Sequence, residues 1–175
     1  MRRKITNSCM IVGCILLLGS VAPPPVLAQS LPETVAYLFS GGMVDPKGMK
    51  IVDDSTVQVP SYFAAMHVMP VMTIKITDKQ SCTVRASQTD GRGPGEIELY
   101  FNKVIPEQTR ERPAGMFPMR LVDMHGDEPI MCYIIAGLKS NCQRTWDTNV
   151  NENNLTKYYA AMKHLYANYC RPSKP

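Results

Sequence analysis

The stretch Glu96-Ile97-Glu98-Leu99-Tyr100-Phe101 alternates polar and apolar side chains. A strand turns successive side chains to opposite faces, so Ile97, Leu99 and Phe101 are expected on a buried face and Glu96, Glu98 and Tyr100 on a wet one. Two carboxylates on one face also fit the paired acids of glycoside cleavage. The alternation explains them more simply, as the solvent side of a sheet. Working outward, Val71–Ile76 and Cys82–Ala86 are short and rich in strand formers, separated by Thr77-Asp78-Lys79-Gln80. The turn residues Asp90-Gly91-Arg92-Gly93-Pro94-Gly95 link the second of these to Glu96 as a hairpin. Beyond Phe101, Asn102–Pro118 is proline-rich and charged and is expected to be a long loop. Met119–Met124 and Ile130–Ala136 flank a turn at His125-Gly126-Asp127, and Gly137–Asn141 make another before Cys142–Trp146. The middle of the chain therefore reads as antiparallel sheet.

Helical patterns close both ends. Ser30-Leu31-Pro32-Glu33 is a capping-box pattern, with proline tolerated in the first turn. Leu31, Val35, Leu38 and Phe39 follow at helical spacing, and Gly41-Gly42 can end the helix in the left-handed conformation. Near the other end, Asn153 or Asn154 caps a second helix whose apolar stripe is Leu155, Tyr158, Met162, Leu165 and Tyr169. That stripe is expected to pack on the sheet. Helix, antiparallel strands and closing helix together argue an α+β fold.

The first residues are of another kind. Arg2, Arg3 and Lys4 precede the apolar run Met10–Leu18, prolines 23–25 break it, and Val26-Leu27-Ala28 offers a cleavage site before Gln29. This is the order of a secretory signal peptide, with an apolar core too short to span a bilayer. The expected organisation is a signal at residues 1–28 and a single exported domain at 29–175. Three basic and no acidic residues leave with the signal, so 16 positive side chains face 15 negative ones in the mature chain. That balance argues against a nucleic-acid partner, which would call for a basic patch; the densest candidate, Arg110-Glu111-Arg112, has an acid in its middle.

Cys9 and Cys14 also leave, and Cys82, Cys132, Cys142 and Cys170 remain. An even number of cysteines in an exported chain reads as disulfides. No Cys-x-x-Cys occurs, so thioredoxin-like and zinc-knuckle readings lack support. Four cysteines allow three pairings. Cys132–Cys142 across a hairpin with Cys82–Cys170 fastening the last helix is one; Cys142–Cys170 with Cys82–Cys132 is a close competitor.

Leu31-Pro32-Glu33-Thr34-Val35-Ala36-Tyr37, the strand at Cys82, and Ala161-Met162-Lys163-His164-Leu165-Tyr166-Ala167-Asn168-Tyr169-Cys170 resemble small secreted bacterial proteins of unknown function. The C-terminal helices of those proteins end in a similar His-Leu-x-x-x-Cys; here four residues separate Leu165 from Cys170. The resemblance implies a compact sheet closed by a C-terminal helix, along the lines of the pleckstrin-homology-like architecture, and a bacterial envelope location. It brings no catalytic residues.

The chemically loudest segment is Met66-His67-Val68-Met69-Pro70-Val71-Met72. Thioether and imidazole ligands suit copper, so Met66, His67, Met69 and Met72 are the candidate metal ligands; methionine also fills irregular cores without any metal. His125 lies between Asp123 and Asp127, as an oriented base would, although such a turn is more often a solvated loop. The glycines near 91–95 precede a strand and not a helix, which removes the phosphate-loop reading. Asn154-Leu155-Thr156 is a glycosylation acceptor by its letters alone. The expected function is binding or structural association with an envelope protein in the periplasm or outside the cell. Exposed tyrosines and the Asn102–Pro118 loop are the candidate contact surfaces, and the alternative is a periplasmic copper-binding protein.

Overall fold

The computed structural model describes residues 30–44, 46–60, 71–88, 96–115 and 118–171. The chain is an α+β protein, an antiparallel sheet with a short helix near the start and a closing helix at the end. Helix α1 spans Leu31–Phe39 and α2 Leu155–Asn168. The strands are β1 Lys50–Asp53, β2 Thr56–Pro60, β3 Val71–Asp78, β4 Thr83–Gln88, β5 Glu96–Tyr100, β6 Arg110–Pro113, β7 Met119–His125, β8 Met131–Ile135, β9 Leu138–Gln143 and β10 Thr145–Asn151. Seven of them form one sheet in the order β1-β2-β3-β4-β5-β8-β9, and β10-β7-β6 form a second.

Alternation sets which side of the large sheet is dry. Val57, Ile74, Ala86, Ile97 and Tyr133 stand in one cross-strand row. With Val59, Ile76, Val84 and Leu99 they turn toward α1, where Val35 and Leu38 are fully buried. Helix α1 starts where the sequence says it should, since the Glu33 carboxylate accepts from the Ser30 amide at 2.8 Å and its hydroxyl at 2.7 Å. It ends at Gly41 and Gly42, both with positive φ (64° and 70°).

Three expectations need correction. The loop expected at Asn102–Pro118 contains β6, which pairs with β7 and carries Arg112 to Asp123; alternating charge hid a strand whose polar residues face solvent. The segments flanking His125-Gly126-Asp127 do not pair. Strand β7 belongs to the small sheet and β8 to the large one. Gly126 explains the crossing: its amide donates to the Arg144 carbonyl at 2.9 Å, and a Cβ there would sit 2.5 Å from the Lys103 carbonyl oxygen. The chain between β9 and β10 crosses between sheets at the same place. Finally, α2 lies mainly against α1 and only lightly on β10. Tyr158, Ala161, Met162 and Leu165 are its buried face, while Tyr169 is 37% exposed.

Among the described residues there are two disulfides. Cys82, in the turn between β3 and β4, bonds Cys170 just past α2, and Cys132 on β8 bonds Cys142 on β9. Among the described residues no helix is long and apolar enough to cross a membrane.

Candidate functional site

On the outer face of the large sheet Thr56, Lys75, Arg85, Glu98 and Cys132 stand in one transverse row across β2, β3, β4, β5 and β8. This is the face the sequence assigns to water. The structure overturns that reading for Glu98, whose side chain is only 4% exposed. Alternation fixes which face a side chain takes, but not how much its neighbours cover it. Tyr100 stands two residues along on the same face and donates its hydroxyl to Glu98 Oε1. From β4, Arg85 gives Glu98 Oε2 two bonds, Nη2 at 2.8 Å and Nε at 3.1 Å. Lys139 on β9 sits opposite Ile134 of β8, yet its Nζ lies 2.6 Å from Glu98 Oε1 on β5. Its side chain must therefore cross the whole of β8, which helps bury Ile134 and Cys132, 4% and 3% exposed. Lys139 Nζ also donates to the Tyr100 hydroxyl at 2.5 Å, and Lys103 Nζ stands 5.3 Å from the Tyr100 ring centroid.

The electrostatics follow from the contacts. Burial alone would raise the Glu98 carboxyl, but hydrogen bonds from Lys139, Tyr100 and Arg85 overcome it and bring the group from 4.5 down to about 2. The same bonds raise Arg85 and Lys139. Burial and the donated bond to Glu98 raise Tyr100. Near neutral pH every member is thus locked in its usual charge state. A base held this low and a phenol held this high are poorly matched to proton transfer. The cluster instead pins the outermost strand β9 to the middle of the sheet.

That strand is exposed along Leu138–Cys142 and, among the described residues, has no strand on its outer side. Its hairpin tip turns through Ala136 and Gly137, at φ 51° and 79°, and sets Ile135 opposite Leu138. These two are 58% and 73% exposed, the most exposed large apolar side chains among the described residues. A separate open cleft of about 530 Å³ lies at the start of α1, between Leu31, Ile51, Asp54, Lys79 and Tyr169. Asp53 on its wall is committed to its own turn, accepting from the Ser55 amide at 2.8 Å and hydroxyl at 2.9 Å.

The candidate residues read from sequence are dispersed. Met66, His67 and Met69 lie outside the described residues, and Met72 on β3 packs half-buried against the core. His125 makes no ion pair among the described residues; Asp123 is taken instead by Arg112, at 2.8 Å. Of the tyrosines expected as exposed contacts, only Tyr169 is exposed among the described residues, while Tyr37 and Tyr158 are buried. Asn154 donates its side-chain amide to the Gly42 carbonyl at 2.9 Å and so joins α2 to the end of α1. The Glu98 cluster was missed because its partners come from positions 85, 98, 100 and 139. The one signal in sequence was Glu98 itself, flanked by strand residues on both sides.

No family model, no curated protein and no solved structure matches this chain.

Proposed function

We propose that this is an exported protein of the bacterial envelope, in the periplasm or secreted, that acts by binding another envelope protein. One observation carries the reading: the β8–β9 hairpin presents Ile135 and Leu138 side by side beside an unpaired strand edge. Exposed apolar side chains next to free backbone donors and acceptors are what an added strand recognises. The Glu98 cluster supports it, because a binding edge held rigid loses less conformational entropy on association. Two disulfides are compatible with an oxidising compartment.

The test is native mass spectrometry of the protein from the envelope fraction, beside a Leu138→Lys variant. The expected species begins at Gln29, is four hydrogens lighter than the thiol form, and carries a protein partner that the variant loses. A mass that retains residues 1–28 would overturn export. A partner bound equally by both proteins would overturn the hairpin as the contact. One bound copper ion would move the reading to the metal site at Met66, His67, Met69 and Met72.

A further inference from the structure

The two disulfides differ in what surrounds them. Cys82 and Cys170 are 1% and 0% exposed and sit inside the core cluster. Cys132 is 3% exposed, but its partner Cys142 is exposed on the outermost strand. The backbone around Cys142 is also irregular. Met131 pairs with Gln143 and Tyr133 with Ser140, so β9 carries one extra residue there, and Asn141 takes a positive φ of 46°. A bulge interrupts the hydrogen-bond ladder and leaves that stretch freer to move than a regular one.

We propose that Cys142–Cys132 is a thiol-exchange site that opens the β8–β9 hairpin, with Cys142 as the attacked sulfur. A thiolate attacks Cys142 Sγ and forms a new sulfur–sulfur bond to it. The Cys142–Cys132 bond breaks, and its electron pair leaves on Cys132 Sγ, which takes a proton from water. A second thiolate then displaces Cys142 from the mixed disulfide, so the reductant is oxidised to its own disulfide and both cysteines end as thiols. Attack requires that the thiolate reach the sulfur in line, which exposure permits at Cys142 and burial denies at Cys82 and Cys170. Opening releases the covalent hold on the strand that carries Lys139. Glu98 then depends on Arg85 and Tyr100, and the edge that presents Leu138 loosens. The absence of Cys-x-x-Cys is no obstacle, because this pair receives an attack and does not deliver one.

The attacking thiol is either a small molecule or a cysteine of another protein, and two arms separate them. The oxidised full chain is treated without denaturant with reduced glutathione, or with a reduced thioredoxin. Alkylation and peptide mass mapping then follow each cysteine. Cys132 and Cys142 are expected to open at least about tenfold faster than Cys82 and Cys170, with any trapped adduct on Cys142. Reaction in the glutathione arm assigns small thiols, and reaction in the thioredoxin arm alone assigns a protein source. No opening in either arm, equal rates at the two disulfides, or an adduct trapped on Cys132 would overturn the proposal.

Discussion

Glu98 is where single-residue chemistry has the largest leverage on this molecule. Its carboxyl is held at about 2 in the folded protein against an ordinary 4.5. A folded-state pKa below the unfolded one contributes stability that is present above pH 4.5 and lost as pH falls toward 2. The linkage is on the order of 3 kcal/mol. Urea midpoints measured across that window are expected to fall steeply in the parent and much less in Glu98→Gln; parallel curves would show that another carboxylate governs the acid limb. The partners are not equivalent. Arg85 and Lys139 are 41% and 54% exposed and can turn to water if Glu98 is neutralised, whereas Glu98 cannot follow them. Lys139→Met is therefore expected to cost about 1–3 kcal/mol at neutral pH. Glu98→Gln removes the charge that the linkage counts and should cost about 3 kcal/mol, no less than Lys139→Met, and chemical denaturation of both variants gives the comparison. Residue identity predicted the face of Glu98 but not its burial, because the cover arrives from a strand forty-one positions later. Similarly, Asn153 or Asn154 was the expected cap of α2. Asn154 does stand at the N-cap of α2, but its side chain binds Gly42 instead of capping, and Asn151 caps the preceding 3-10 turn Glu152–Asn154 by accepting from the Asn153 amide at 3.0 Å.

Among the elements, the joint between α1 and β10 is the tightest. Gly41 has φ 64°, and a Cβ there would fall 1.8 Å from the Asn149 carbonyl oxygen, so backbone must move to admit it. Gly137 in the β8–β9 turn has φ 79° but nothing within 4 Å. Gly41→Ala should therefore cost far more than the roughly 1 kcal/mol expected for Gly137→Ala from backbone conformation alone; equal melting temperatures for the two would show that α1 can shift off β10. Helix α2 depends on its tether. It packs mainly on the nine-residue α1 and only lightly on the sheet, and Cys170 fastens its end to the β3–β4 turn. In the chain-entropy account the Cys82–Cys170 loop, spanning 88 residues, contributes about 4–5 kcal/mol, and the ten-residue Cys132–Cys142 loop about 3. Cys170→Ser is expected to lower the melting temperature more than Cys142→Ser, and the reverse order would mean that α2 holds by packing alone. Periodicity located both helices and strands β3, β4, β5, β7 and β8, since each is a local pattern. Strands β1 and β2 went unread, β6 fell in the expected loop, and most of β9 fell in the turn expected at Gly137–Asn141. Periodicity could not assign strands to sheets, and β7 and β8, neighbours in sequence, part company at Gly126 because of contacts with Lys103 and Arg144.

For the molecule as a whole, the question is whether the two sheets fold as one unit. One buried cluster runs without a break from Leu31 and Val35 in α1 through Val57, Ile74 and Leu99 of the large sheet to Val122 and Val150 of the small one, and on to Leu165 and Cys170. The protein's one tryptophan stands at the meeting point. Trp146 on β10 is 8% exposed, with its ring 5.2 Å from Phe39 of α1 and 6.2 Å, edge-on, from Phe101 just past β5. Its fluorescence therefore reports contact among the small sheet, the first helix and the large sheet at once. A core shared in this way should unfold cooperatively, since neither sheet can lose its partner without exposing its own apolar face. With both disulfides intact, the urea transition followed by Trp146 fluorescence is expected to coincide with that followed by far-ultraviolet circular dichroism. An earlier fluorescence transition would mean that β6, β7 and β10 detach first, leaving the large sheet as the stable unit. The β8–β9 edge lies outside this cluster apart from Met131, with Tyr133 packed against it, and Leu138 shares none of it. Opening that hairpin should thus leave the Trp146 signal almost unchanged, which separates events at the edge from unfolding of the core.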